Sequence, residues 1–154
     1  MKQDGFTLIE LMIVVAIVAI IAAIALPSIL RAKIAANETS AIEGLRIISE
    51  AEVVFYVQTM RPDPGTGNAL YGDLSDLGTA LPPFIDRVLQ EGEKSGYTYD
   101  IALNDNPLGP GYEATAEPTA YPRSGIRTFF VNDEGVIRFN TDGTSATSTS
   151  PPIN

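Results

Sequence analysis

One carboxylate near the start of the chain lies where a charge is expensive. Glu10 is a few residues inside an apolar stretch that begins at Phe6, and no charged residue follows it from Leu11 to Leu30. A run of ~20 apolar residues is long enough to cross the hydrocarbon core of a membrane as a helix. An acid inside such a span costs roughly 2.5–3.5 kcal/mol at the centre and usually has a functional partner. The spacing therefore leaves two interpretations of Glu10: a paired site, or an acid that reaches lipid headgroups at the bilayer edge.

The residues around this acid resemble the processing site of a known family. The segment GFTLIEL, residues 5–11, is similar to the N-terminal motif of type IV prepilins and the related secretion pseudopilins. The resemblance implies that a prepilin peptidase cleaves between Gly5 and Phe6, and that the new N-terminal Phe6 is N-methylated. It also implies that Glu10 of one subunit pairs with the Phe6 amine of a neighbour and so sets subunit registration.

The order of cut and apolar run is consistent with this resemblance. An ordinary secretory leader carries its apolar region before the cut and is lost with it, whereas here the mature chain keeps its anchor. Lys2 precedes the span and Arg31 and Lys33 follow it, so counting positive charges does not favour a cytoplasmic N-terminus. Only the resemblance puts the leader inside and the C-terminal domain outside.

Pro27 is predicted to break the first helix. It matches the helix-interrupting proline of the family, where the preceding segment often loosens into extended chain in assembled filaments. The resemblance therefore implies that part of Ala19–Pro27 melts on assembly. A simple proline kink is the alternative, because a kink at proline needs no further cause.

Composition excludes several classes of function. The chain has 10 Lys and Arg against 19 Asp and Glu, a net charge of −9, which argues against electrostatic binding of nucleic acid. It has no Cys and no His, so disulfides, zinc thiolate sites and Ser-His or Cys-His nucleophiles are excluded. Asn104–Asn106 and Asp133–Glu134 lack the spacing of a calcium loop and are typical of turns. We therefore predict neither catalysis nor a metal or cofactor.

Periodicity predicts the remaining elements. Apolar residues recur every seven positions beyond Pro27, which predicts one helix continuing to about Met60. A loop is expected over 61–80 and a short helix over 81–89. Alternating residues predict strands over 97–103 and 112–116, separated by a turn cluster over 104–111, and a hairpin of 125–131 with 136–139. The helical stripe comprises Ile34, Ala41, Ile48 and Phe55, widened by Ile42, Leu45 and Val54.

The predicted fold class is α+β, the type IV pilin fold, in which the amphipathic half of the long helix packs on an antiparallel sheet of three or four strands. The exposed end of the chain is predicted to be a tail rich in Ser, Thr and Pro. The expected organisation is a leader at 1–5, a transmembrane or filament-core half-helix at 6–30, an amphipathic half-helix at 31–60, a globular β domain at 61–140 and the tail at 141–154.

The function implied by the resemblance is structural: a major pilin that polymerises with identical subunits into a type IV pilus or pilus-like filament. Its other partners are the prepilin peptidase, an inner-membrane assembly machinery with a cytoplasmic ATPase, and membrane lipid before assembly. Its expected location is the inner membrane as a precursor and then the extracellular filament on the bacterial surface. The alternatives are a major pseudopilin of a type II secretion system and, less favoured, a membrane-tethered periplasmic module that never polymerises.

Overall fold

The computed structural model describes residues 6–59, 71–106 and 109–153. The chain divides between Lys33 and Ile34 into two compact units, which are described separately. The leader residues 1–5, the expected helix end at Met60 and the first half of the expected loop over 61–80 lie outside the described residues.

A long helix, α1 (Leu8–Thr59), confirms the element predicted from periodicity. Its helical conformation continues through Pro27 in the single chain, and the break expected there on assembly stays a prediction. Nearly every side chain from Phe6 to Lys33 is exposed. This first unit is long and apolar enough to cross a membrane, judged by length and composition. Its apolar side chains are therefore left exposed rather than packed into a core of the unit itself.

The second unit has its own core, to which α1 contributes one face. Ala41, Leu45 and Ile48 are completely buried, as the seven-residue stripe predicts. Val54 was expected to widen that stripe, but it is 44% exposed. It lies six residues beyond Ile48, about 240° around a helix of 3.6 residues per turn, and so points away from the core.

The described residues of the second unit contain a five-stranded antiparallel sheet in the order β1-β2-β3-β4-β5. Alternate residues of β2 and β3 face α1, which is the period-two pattern of a half-buried strand. The sheet has five strands where three or four were predicted. The additional strand is the first, which has only two residues and so leaves no alternating pattern in the sequence. The strands are β1 (Glu93–Lys94), β2 (Tyr97–Asn106), β3 (Gly109–Pro118), β4 (Thr128–Asn132) and β5 (Arg138–Asn140).

The two hairpin connections of the sheet, between β4 and β5 and between β2 and β3, differ in how well they were predicted. The hairpin across residues 132–135 is confirmed, with Phe129 opposite Phe139 in the β4–β5 ladder. The turn cluster expected over 104–111 is wrong in extent, because β2 and β3 stay paired as far as Asn106 and Gly109. Backbone pairing thus continues through residues whose composition is typical of turns, because ladder bonds join main-chain groups and not side chains.

The helices after α1 also differ from prediction. The segment expected to be loop contains α2 (Leu74–Thr79), which begins with a capping box between Asp73 and Asp76. The helix expected over 81–89 is reduced to α3 (Arg87–Gln90), because Asp86 caps it by accepting the Leu89 N–H at 2.8 Å. Proline disfavours the helical conformation of the residue before it, which explains why no helix forms at Leu81–Pro83.

The C-terminal tail is exposed along most of its length but is attached to the sheet. The Phe139 N–H donates to the Pro151 carbonyl at 3.0 Å, and the Ile153 N–H donates to the Ile137 carbonyl at 2.9 Å. Ala146 is buried. The tail therefore lies along the outer edge of β5, where it covers backbone groups that would otherwise be free for pairing.

Candidate functional site

The N-terminal acid is held by its own helix. Thr7 and Glu10 form a capping box: the Thr7 N–H and hydroxyl donate to Glu10 Oε2 at 2.9 and 2.6 Å, and the Glu10 N–H approaches the Thr7 hydroxyl at 3.3 Å. Such a box satisfies backbone donors that a helix start otherwise leaves free. The Thr-x-x-Glu spacing of the sequence is its signature. Glu10 therefore has a local role at the start of α1 in addition to any role between subunits.

The same geometry leaves half of the carboxylate available. Both Thr7 donors converge on Oε2, and among the described residues no cation and no donor contacts Oε1. Phe6 lies close to the helix start and is 87% exposed. Gly5, the other residue of the predicted cleavage site, lies outside the described residues. One carboxylate oxygen is thus free to accept a donor from outside the chain.

The first unit also contains Pro27, which lies inside α1. Proline has no N–H and therefore cannot donate to the carbonyl of Ala23, one turn earlier. A carbonyl without a donor is costly in lipid unless a neighbouring group supplies one. The predicted break site is therefore a point of reduced helical bonding, although the single chain stays helical there.

A second acid of α1, Glu38, links the helix to the residues just before β4 through hydrogen bonds and an ion pair. Its Oε1 accepts the N–H groups of Ile126 and Arg127 at 3.0 and 3.2 Å, and its Oε2 pairs with Arg127 Nε at 2.8 Å. The Arg127 guanidinium also lies over the rings of Phe129 and Phe139, at 5.3 and 5.7 Å from their centroids. A buried carboxylate with this many donors is well compensated.

A third acid, Glu52, is completely buried and poorly compensated. Its Oε2 accepts the Gly72 N–H at 3.0 Å, while its Oε1 is buried and has no hydrogen-bond partner among the described residues. Burial raises the pKa of this carboxyl from 4.5 to about 7, the Gly72 bond lowers it in part, and the charges of Asp76 and Asp73 add to the rise.

The pattern of apolar residues alone does not identify Glu38 and Glu52 as site residues. The two acids and Leu45 repeat at seven-residue spacing, in register with the buried stripe of α1. A charged residue at a position that the amphipathic pattern predicts to be buried is therefore the sequence feature that indicates such a site.

Aromatic side chains fill the core between α1 and the sheet, and their hydroxyls are bonded. Tyr97 donates to the Arg127 carbonyl at 2.8 Å, and Tyr112 donates to the Ser49 hydroxyl at 2.9 Å. Burial raises the pKa of Tyr112 to about 12. These hydroxyls therefore stay protonated and act as structural donors.

Within the described ranges, no group of three or more Asp, Glu, His or Cys residues is close enough to hold a metal ion. Of the segments weighed for calcium, Asn104–Asn106 forms the end of β2, and Asp133–Glu134 lies in the β4–β5 turn. Glu134 there approaches the Arg138 guanidinium at 3.5 Å.

The described residues define a class: an α+β protein with an exposed apolar helix that begins with the Thr7–Glu10 capping box. Residues 1–26 match the family described as the prokaryotic N-terminal methylation motif.

A relative extends the match beyond this motif. The chain is 42% identical over 104 residues to the type IV major pilin protein PilA of Myxococcus xanthus (strain DK1622). The match covers 68% of this chain and 40% of the relative, so the chain spans less than half of that protein's length. No solved structure matches. The methylation motif and the identity to a major pilin together support the type IV prepilin family for this chain.

Proposed function

We propose that this chain is the major structural subunit of a type IV pilus or pilus-like filament, and that it polymerises after cleavage between Gly5 and Phe6. The observation that carries the proposal is Glu10, an acid near the start of an apolar helix whose Oε1 has no partner among the described residues. A carboxylate in an apolar environment needs a cation and further hydrogen bonds.

Cleavage would supply the missing cation. Removal of the leader turns the backbone nitrogen of Phe6 into an ammonium group, and N-methylation leaves that group charged with N–H donors remaining. The amine of one subunit can then donate to Glu10 Oε1 of its neighbour while Thr7 keeps its hold on Oε2. Subunits in the wrong register would bury both charges unpaired, so the pair contributes register more than net stability.

The exposed helix of the first unit supports assembly after membrane insertion. The side chains of residues 6–30 need apolar surroundings, which lipid provides for the precursor and neighbouring helices provide in a filament core. The inferred partners are identical subunits, a prepilin peptidase and an inner-membrane assembly machinery driven by a cytoplasmic ATPase. The inferred location changes from the inner membrane to the bacterial surface.

A Glu10→Gln variant tests the proposal sharply. Glutamine retains the capping box with Thr7, because the motif accepts Glu or Gln at this position, but it removes the charge. We expect processing at Phe6 to continue, as measured by mass spectrometry of the membrane fraction. We expect the yield of sheared surface filaments to fall by about tenfold or more, since breaking a buried pair costs ~3–5 kcal/mol.

Two further variants separate the roles. Thr7→Ala weakens the cap by about 1 kcal/mol but keeps the acid, so filaments should persist. Glu43→Ala removes an exposed acid of α1 whose partner Arg46 lies 3.4 Å away, and it should change neither processing nor yield. Normal filaments from the Glu10→Gln variant would contradict the proposed pair. A wild-type mature chain found only in membranes would instead favour a pseudopilin or a tethered module.

A further inference from the structure

In the part of the chain that the structure describes, one buried acid outside the N-terminal site lacks the partners that buried acids ordinarily have. The Glu52 side chain is fully enclosed and accepts a hydrogen bond from the Gly72 N–H at 3.0 Å. Within the ranges that the structure describes, its Oε1 is buried and has no hydrogen-bond partner. Carboxyl groups buried this deeply are normally paired with a cation or saturated with donors. Glu38 on the same helix shows that ordinary arrangement, with two backbone donors and Arg127.

The groups that face Glu52 make ionisation harder. Asp73 and Asp76, from the start of α2, place negative charge near it. Tyr71, before α2, and Tyr112, on β3, are the other titratable groups that interact with it. Tyr112 donates its hydroxyl hydrogen to Ser49, not to Glu52. Asp133, in the β4–β5 turn, faces both tyrosines, and within the described ranges no Lys or Arg contacts Glu52.

Gly72 is held close to α1 at this point. A Cβ atom at position 72 would lie 3.2 Å from the Phe55 ring and 3.0 Å from the Asp76 Cβ. The backbone therefore reaches Glu52 because residue 72 is glycine. The Glu52–Gly72 bond ties the segment leading into α2 to the long helix.

We propose that Glu52 is a proton-operated clip that holds the Gly72–α2 segment on α1 when its carboxyl is neutral and releases it more readily when the proton leaves to solvent. In the closed state the neutral acid carries its proton on Oε1 and accepts the Gly72 N–H through Oε2. Loss of the proton leaves a buried carboxylate with a single donor and two neighbouring acids. Opening of the segment lets water reach that charge, so ionisation and opening favour each other.

The direction of the pH dependence follows from the pKa. The pKa of Glu52 is raised from 4.5 to about 7 in the closed state. A group with a raised folded pKa stabilises the closed state fully below its ordinary pKa and loses that contribution as pH rises to the folded value. The opening equilibrium of the clip should therefore increase by about tenfold per pH unit between ~5 and ~7, and then level off.

Nuclear magnetic resonance on the full chain in detergent micelles tests this device in two ways. The side-chain carboxyl carbon of Glu52 should titrate with a midpoint near 7. Hydrogen exchange of the Gly72 amide, corrected for its intrinsic pH dependence, should show the tenfold loss of protection per unit, while the buried strand residue Ala114 should not. A Glu52 midpoint in the ordinary range near 4.5 would overturn the proposal.

Two variants complete the test. Glu52→Gln keeps an oxygen acceptor for the Gly72 N–H but cannot titrate, so the protection of Gly72 should become independent of pH from ~5 to ~7. Glu50→Gln removes an exposed acid two residues away and should leave the dependence as in the wild type. Retention of the wild-type dependence in Glu52→Gln would overturn the proposal. The carboxyl titration needs no variant and decides the matter alone if Glu52→Gln does not fold.

Discussion

Three glutamates on one helix have different roles because their partners differ. Glu10 shares one oxygen with the helix start and has the other available. Glu38 accepts two backbone N–H groups and pairs with Arg127, whereas Glu52 has one donor among the described residues and a raised pKa. Residue type alone predicts none of these differences. The donors and charges that the fold places near each carboxyl determine its hydrogen bonds, its ion pairs and its pKa.

The Glu38→Ala substitution should destabilise the second unit. It removes the acceptor of the Ile126 and Arg127 N–H groups and leaves the Arg127 guanidinium, which is about one-third exposed, without its partner. We expect a loss of about 2–3 kcal/mol in the free energy of unfolding. Chemical denaturation of the full chain in detergent, followed by near-ultraviolet circular dichroism of the tyrosines, measures this change.

The matched control for Glu38 is Glu43→Ala on the same helix. Glu43 and Arg46 are both more than half exposed and their charged atoms are 3.4 Å apart, so the substitution should change stability by less than about 0.5 kcal/mol. Equal effects of the two substitutions would show that the Glu38–Arg127 contact contributes no more than a surface pair.

At the scale of elements, the long regular segments could be predicted and the short ones could not. In α1 the spacing of apolar residues, and in β2 and β3 their alternation with polar residues, indicate in the sequence which side chains are buried. In contrast, α2 has six residues and is specified by capping between Asp73 and Asp76, and two-residue β1 is specified by pairing with β2. Periodicity needs several turns or alternations to be visible, so elements of this length leave no pattern.

The close contact between α1 and β2 at Gly44 predicts that a substitution favoured by helix propensity destabilises this protein. Gly44 lies in α1, where replacement of glycine by alanine ordinarily stabilises a helix by about 1 kcal/mol. Here a Cβ would lie 2.6 Å from the Tyr99 ring carbon Cε1 and hydroxyl oxygen. Tyr99 is buried against the helix and cannot move without cost. We expect Gly44→Ala to destabilise the chain by a net ~1–2 kcal/mol, as overpacked cores do, measured by the same denaturation assay.

The background substitution Tyr99→Ala isolates this contact. With the ring absent, the added methyl group of Gly44→Ala should be neutral or stabilising, because only the helix propensity remains. An equal destabilisation in both backgrounds would mean that the alanine acts through some contact other than Tyr99.

At the scale of the whole molecule, the two units differ in how many of their apolar side chains are buried within the unit itself. The second unit encloses its own core of α1 and sheet residues. The first exposes nearly all of its apolar side chains, which lipid or other subunits would cover if the proposed function is correct. The sequence could predict the long apolar helix and the family resemblance, because an apolar run and a contiguous motif are local features. It could not predict Glu38 or Glu52 as sites, because their partners Arg127 and Gly72 come from distant parts of the chain.

Assembly should change the conformation of the first unit around Pro27. In the single chain α1 is helical through this residue, although the carbonyl of Ala23 lacks the donor that a residue other than proline would supply. Contacts with neighbouring subunits can compensate backbone groups that the helix gives up. By the family resemblance we predict that part of Ala19–Pro27 is extended in the filament, as seen in a cryo-electron microscopy map. Filaments of Pro27→Ala should show continuous helix there and those of Ser28→Ala should not, whereas continuous helix in the wild-type map would contradict the prediction and favour a simple kink.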